Sequence, residues 1–240
     1  VGLLLQAAEA ALRSVEKLDL ERLVRMYTLR TSEGFVENFG ADLIARVAEE
    51  APGVRLCFVQ KSNKNSASLR DGSVDLETGV VGKATAPELR VQALFRDRFI
   101  GVVRLGHPLS QGEMTPHRYA TGKHILVSRR GFDRGMIDEA LKPLGLERQI
   151  VTIVSGFSTA LVLARASDLI ASVPERHTAK LRAGMHSFPL PIATPEITVS
   201  LHWHPRMDAD PAHRWLRGCV REVCGERLIR PSIDGGSAAG

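Results

Sequence analysis

Cysteine is scarce in this chain, with three residues in 240, at positions 57, 219 and 224. Three scattered thiols cannot build the disulfide framework of a small secreted domain, so a reducing, cytoplasmic setting is expected. Cys57 lies in an apolar, strand-like run and reads as a small hydrophobe. Cys219 and Cys224 have no Cys or His pair at zinc spacing beside them, so no metal and no cofactor is expected. Long apolar runs are missing too. None approaches the roughly 18 residues that a membrane-crossing helix needs. No charged n-region, apolar h-region and cleavage site follow Val1 in order, so a secretory signal is not expected, and a chain opening on Val is expected to be a piece of a longer protein. Charge of one sign is also lacking. The 32 Lys and Arg are interleaved with 27 Asp and Glu despite the net charge of +5. Arg129-Arg130 with Arg134 is the nearest thing to a basic patch and is too short for a nucleic-acid track.

Catalytic and nucleotide-binding patterns are absent as well. The stretches Gly79–Gly82 and Arg130–Gly135 lack Walker or dinucleotide spacing. Ser155-Gly156-Phe157-Ser158 does not flank its serine as a nucleophile elbow does. His202 and His204 share one face of a predicted strand, but no acidic or Cys partner completes a metal site around them. Ordinary hydrogen bonds are the expected role of these rings, although His202 could look into a crevice. An enzyme is therefore not expected.

What is present is alternation. Residues 24–30 read as a strand, Val36, Phe39, Leu43, Ile44 and Val47 mark one helix face, and residues 54–59 resume a strand, which is a βαβ unit. Ala51-Pro52-Gly53 stops that helix. A short helix at 66–70, a strand at 74–80 and an extended run at 89–95 follow. A second series of the same form predicts strands at 99–103, 124–128, 150–154 and 169–173, with helices at 116–119, 136–144 and 159–165 and one opened by Pro174. The prolines at 189, 191 and 195 suit an extended crossing segment. A strand at 197–203 comes next, and Asp210-Pro211 starts a helix that buries Trp215, Leu216, Cys219, Val220 and Val223. The expected class is α/β with two sheets. Residues 1–18 carry one lone apolar helical stripe, which must be covered by something else, and the Gly, Ser and Ala-rich tail 230–240 is expected to be disordered.

Several phrases in this order resemble one family. Glu49-Glu50-Ala51-Pro52-Gly53-Val54-Arg55-Leu56, Leu69-Arg70-Asp71-Gly72-Ser73-Val74-Asp75-Leu76, and Phe95 to Val103 followed by Gly106-His107-Pro108-Leu109 are three of them. Ser167-Asp168-Leu169-Ile170-Ala171 with Val173-Pro174-Glu175-Arg176 completes the set. Together they are similar to the effector-binding region of the LysR-type bacterial transcription regulators. His202-Trp203-His204-Pro205 and residues 208–216 look most like the nodulation and aromatic-acid regulators.

The resemblance implies two Rossmann-like subdomains joined by two crossover strands, as in type 2 periplasmic binding proteins. A linker helix would occupy 1–20, subdomain I 21–94 and 195–229, and subdomain II 95–194, with the winged helix-turn-helix absent from this sequence. It also implies a small, anionic organic effector, expected to be a carboxylate, held between the lobes, and promoter DNA bound only through the missing part. The implied effector positions are Thr31, Ser32, Ser128, Phe132, Phe157, Val173, Pro174 and His202. Thr31 and Ser32 can equally be plain helix caps, and Phe157 a core residue. The implied homodimer packs antiparallel through Asp42, Arg46 and Glu49 of one chain and Val54, Leu56 and Phe58 of its partner, with a tetramer open to the full-length protein.

Two departures from the family are visible. Ser155-Gly156-Phe157 stands where related aromatic-acid regulators tend to carry Pro-His-Phe, and Glu77-Thr78 stands in a usually apolar strand. Glu77 either faces the crevice or sits at a solvated edge. The edge is expected, because an unpaired buried carboxylate is costly. A transporter's solute-binding protein or an enzyme on the same scaffold are the competing readings.

Overall fold

The computed structural model describes residues 18–61, 67–82, 85–128 and 131–225. The expected linker helix falls almost wholly outside these residues, as do the tail 230–240 and Arg129-Arg130. Strand β1 (Arg25–Thr31) leads into one continuous helix, α1, made of Glu33–Phe35, a π-helical turn Val36–Gly40 and Ala41–Glu50. Then come β2 (Val54–Gln60), α2 (Ala67–Asp71), β3 (Leu76–Val80) and β4 (Arg90–Asp97). After the crossing, β5 (Phe99–Arg104), α3 (Pro116–Ala120), β6 (Lys123–Val127), α4 (Met136–Leu141), β7 (Gln149–Val154), α5 (Phe157–Arg165), β8 (Leu169–Pro174) and β9 (Met185–Pro189) follow. The chain closes with β10 (Ile197–Trp203) and α6 (Pro211–Gly225).

Two five-stranded sheets result, ordered β2-β1-β3-β10-β4 and β7-β6-β8-β5-β9. The chain passes from the first to the second between β4 and β5 and returns between β9 and β10. In the first sheet, β1 alternates Tyr27 and Leu29 toward a core shared with Phe35, Phe39, Leu43 and Val47 of α1 and Leu216, Val220 and Val223 of α6. Each of these large apolar side chains contributes about 1.5–3 kcal/mol by leaving water. The stripe on α6 is set from its start, because the Asp210 carboxylate accepts the His213 N–H at 3.0 Å while Pro211 needs no partner for a donor it lacks.

The second sheet is covered on both faces, by α5 against Val102, Ile125 and Val173, and by α3 and α4 against Val103, Ile170 and Phe188. Gly101 on β5 is required by that packing, since a Cβ there would fall 2.2 Å from the Phe188 ring. The helix expected to open at Pro174 does not form. Pro174 ends β8, paired with Phe99, and residues 175–179 form turns before a single 3-10 turn, Lys180–Arg182. The next segment is β9, a strand that no sequence pattern had marked before the prolines at 189, 191 and 195. Its side chains are mostly half-exposed, with Phe188 buried, so no clear period marks it.

The lobes are pinned beside the first crossing. Asp97 at the end of β4 accepts hydrogen bonds from the Arg176 N–H at 2.9 Å and from the His177 N–H and Nδ1 at 3.1 and 2.8 Å. Burial works to raise the Asp97 carboxyl, but the His177 ring and these N–H donors outweigh it and hold the group below the usual carboxylate range. From α1, the Asn38 amide donates to the Arg176 carbonyl at 2.6 Å and its oxygen accepts the Lys180 N–H at 3.2 Å. Asn38 is the middle residue of the π turn.

Candidate crevice between the two sheets

Ligands of open α/β sheets bind outside the carboxyl ends of parallel strands. Here those ends are Thr31 of β1 and Gln60 of β2 in the first lobe, and Val127 of β6 and Pro174 of β8 in the second. Ser32 caps α1, its hydroxyl accepting the Phe35 N–H at 3.3 Å, so the capping role expected of this pair belongs to Ser32. Thr31 instead closes β1 with a buried hydroxyl bonded to that of Thr78 on β3. Glu33 then projects toward the other lobe, with one oxygen taking the Gln60 amide and the other lying 3.1 Å from where a Cβ on Gly156 would be. Gly156 caps α5, so the starts of α1 and α5 face each other across the gap. A Cβ at 156 would lie 3.1 Å from the exposed Glu33 carboxylate, whose side chain would have to give by a few tenths of an ångström.

Phe157, the first residue of α5, packs edge-on against Phe99, ring centres 6.0 Å apart, and is half-buried. Ser128 lies alongside, its N–H donating to the Val154 carbonyl at 2.8 Å two residues before Gly156. Ser32, Ser128 and Phe157 thus follow the carboxyl ends of β1, β6 and β7. Val173 is fully buried in the second lobe, and the buried Pro174 presents its carbonyl to the Thr178 hydroxyl at 2.6 Å. Phe132 is mostly exposed on its loop.

Glu77 overturns an expectation. It sits at no solvated edge: it is 2% exposed, accepts from Arg30 Nε at 2.8 Å, and is also paired with Lys61. The buried carboxylate persists because two cations share its cost. His202 is its cross-strand neighbour in the β3–β10 ladder, and its Nε2 has no hydrogen-bond partner among the described residues, so the ordinary bond expected of this ring is missing there. Burial first, with Lys61 adding to it, lowers the His202 pKa against the opposing pull of Glu77. His204 lies outside this row and caps the turn after β10 through Nδ1. No group of three or more His, Cys, Asp or Glu suited to a metal occurs among the described residues.

Glu33, Gln60 and Lys61 were not singled out in the sequence. Their signal was positional only, directly after β1 and at the end of β2. Of the residues expected at a dimer contact, Val54 is buried in its own core, and Leu56 and Phe58 pack partly against it. Asp42 pairs with Lys180, Arg46 pairs with Glu50 and Glu222, and Glu49 is exposed.

Two hollows lie in the second lobe. One, of about 200 Å³, runs over Asp133, Arg134, Lys142 and Glu147 away from the crevice. The other, of about 180 Å³, begins beside Phe157. No helix among the described residues is long and apolar enough to cross a membrane.

Residues 21–225 match the family described as LysR substrate binding domain. The chain is 26% identical over 229 residues to the HTH-type transcriptional activator NagR of Ralstonia sp, covering 92% of this chain and 74% of the relative. It is 32% identical over 179 residues to the HTH-type transcriptional regulator SyrM of Rhizobium meliloti (strain 1021), covering 73% of this chain but only 55% of that protein. The solved BenM effector binding domain with its effector benzoate superposes with a TM-score of 0.66 at 18% identity, over 88% of this chain and 97% of that one, which is a likeness of fold.

Proposed function

The chain belongs to the LysR substrate binding domain family, and from that premise we propose that it senses a small carboxylate held between its two sheets. The observation that carries this reading is the approach of α1 and α5 start to start, with Ser32 and Glu33 on one side and Gly156 and Phe157 on the other. Unpaired N–H groups and the positive dipole ends of both helices converge on one gap, which favours an anion. Ser32, Ser128 and Phe157 are the contacts favoured among the expected positions, with Thr31, Val173 and Pro174 shaping the strand ends behind them. His202 lies behind them, opposite Glu77 in the β3–β10 ladder. Phe132 contributes only if its loop folds inward.

Effector binding would change the relative orientation of two lobes that are joined by two crossings and pinned at Asp97 and Asn38. A ligand shifts such an equilibrium only by its unequal affinity for the two arrangements. In the complete regulator that shift would be passed to linked DNA-binding domains, and DNA is read by that part and not by this one. Two regulatory domains are proposed to pack as a homodimer. The strand β2 ends its sheet, and Ile44 on the neighbouring face of α1 is half-exposed, both of which suit a partner. The relatives matched in sequence are named transcription regulators rather than enzymes or transporter components.

Calorimetric titration with benzoate, acetate and succinate tests the sensor reading. Binding of at least one, weakened by Ser32→Ala, is expected. Saturation by an uncharged ligand alone would overturn the anionic part.

A further inference from the structure

The hollow of about 200 Å³ on the second lobe is made by a change of direction. Helix α4 runs on into a 3-10 turn, Lys142–Leu144, and Gly145 then takes a φ of +66°, which L side chains rarely adopt, with its N–H on the Lys142 carbonyl at 2.9 Å. The chain doubles back there, so residues 146–150 form one side of the hollow and the loop that enters α4 forms the other. Its floor is closed. Arg148, whose side chain is 1% exposed, sends Nε and Nη2 to the two oxygens of Asp138 at 2.7 and 3.0 Å, and Asp138 also accepts the Gly135 N–H at 2.6 Å.

The rim is open and carries both signs. Asp133 and Glu147 are its anions, Arg134 and Lys142 its cations, and all four are exposed. Their own ties are loose. Arg134 approaches Glu147 only to 3.5 Å, with the two side chains 57% and 79% exposed, and Lys142 leans on Glu139 three residues back. Pairs of this kind contribute little and give way readily to a ligand. A simple anion would be drawn by Arg134 and Lys142 and repelled by Asp133 and Glu147, and a simple cation meets the reverse. A molecule with a charge of each sign is attracted at both ends. Between the charges the half-buried Leu146 and Ile150 offer apolar surface. A protein cavity of about 150 Å³ is known to hold benzene, so this hollow has room for a short hydrocarbon chain with a head group.

We propose that this hollow is a second small-molecule site, separate from the crevice, which takes a zwitterion with an aliphatic tail: an α-amino acid of about the size of leucine. Its carboxylate lies between Arg134 and Lys142, its ammonium faces Asp133 and Glu147, and its side chain rests on Leu146 and Ile150. Arg148 also borders the hollow beside Phe157, so one guanidinium stands between the two spaces. The site does not depend on what the crevice binds.

The test uses the whole 240-residue chain and three probes followed by methyl NMR: L-leucine, leucinamide, which lacks the carboxylate, and N-acetyl-leucine, which lacks the ammonium. Leucine is expected to shift the methyl signals of Leu146 and Ile150, and each derivative to bind about three- to fivefold more weakly, the share of one exposed charge. Arg134→Ser changes an exposed side chain and leaves the core alone. It is expected to weaken leucine and N-acetyl-leucine and to leave leucinamide unchanged, while Ser32→Ala leaves all three unchanged. No shift at Leu146 or Ile150 at about 10 mM leucine overturns the site, because that concentration saturates millimolar binding. Shifts confined to Val127 and Val154, or a loss of leucine binding in Ser32→Ala, would put the amino acid in the crevice and overturn the proposal. A derivative that binds as tightly as leucine overturns the zwitterion, and the proposal with it.

Discussion

Glu77 and His202 face each other across the β3–β10 ladder, both 2% exposed, yet the carboxylate gives its oxygens to Arg30 and Lys61 and leaves the ring's Nε2 unsatisfied. The row therefore holds two cations and one anion, with a neutral imidazole as spectator. Glu77 and His202 should respond to truncation in opposite ways.

Glu77→Leu removes the buried carboxylate that Arg30 and Lys61 share. A loss of about 3 kcal/mol or more in urea unfolding is expected, in line with breaking a buried pair from one side. His202→Leu removes an unsatisfied polar atom and should be neutral or stabilising. A cost for His202→Leu equal to that of Glu77→Leu would show that the ring holds a partner the structure does not contain.

Asp97 gathers three hydrogen bonds from the second lobe at the hinge. Asp97→Asn removes the charge and leaves donors facing an amide, so a loss of about 2 kcal/mol is expected. Hydrogen exchange should rise at 175–180 while the centres of β1 and β8 stay protected. Uniform loss of protection would mean that Asp97 supports the cores rather than the lobe junction.

If the effector sits between the lobes as proposed, Glu33 places a carboxylate beside its own, against Gly156. Glu33→Gln is expected to tighten benzoate binding by about two- to fivefold, the modest effect proper to an exposed charge. The gain should shrink at high salt. Weaker binding in this variant would make Glu33 a ligand-holding residue instead of a competitor.

Acid should loosen the second lobe through the buried His124. Burial, helped by Arg148, pushes the His124 pKa from 6.5 down to about 4, so the folded protein prefers the neutral ring. That contribution is complete above pH 6.5 and is lost as pH falls toward 4, because the unfolded chain takes up the proton first. The difference corresponds to about 3 kcal/mol. Asp97 and Asp138, both held low, extend the loss to more acid pH. Urea midpoints between pH 7.5 and 4.5 measure it, and His124→Gln should flatten the slope.

Much of the architecture is legible in the sequence because its signals are local. The Asp210-Pro211 start of α6, the stop at Ala51-Pro52-Gly53 and the alternating strands each carry their own chemistry. The segment after Pro174 was misread for the same reason. A proline that can open a helix can equally end a strand, and only the pairing with Phe99 decides between them. Glu77 was misplaced because its burial depends on Arg30 and Lys61, 47 and 16 residues away. The crevice was partly visible: Ser32 follows a strand and caps a helix, but the closeness of Glu33 to Gly156 belongs to no sequence window.

The wide turn Val36–Gly40 spends one more residue on its loop than a regular helix would, and Asn38 reaches the opposite lobe from inside it. Deleting a single residue there would rotate the helix on one side of the turn by about 100° against the other. The bridge from Asn38 to Arg176 and Lys180 and the burial of Phe35, Phe39, Leu43 and Val47 could not both survive that twist, so this one surplus residue is what lets a single spiral serve two masters.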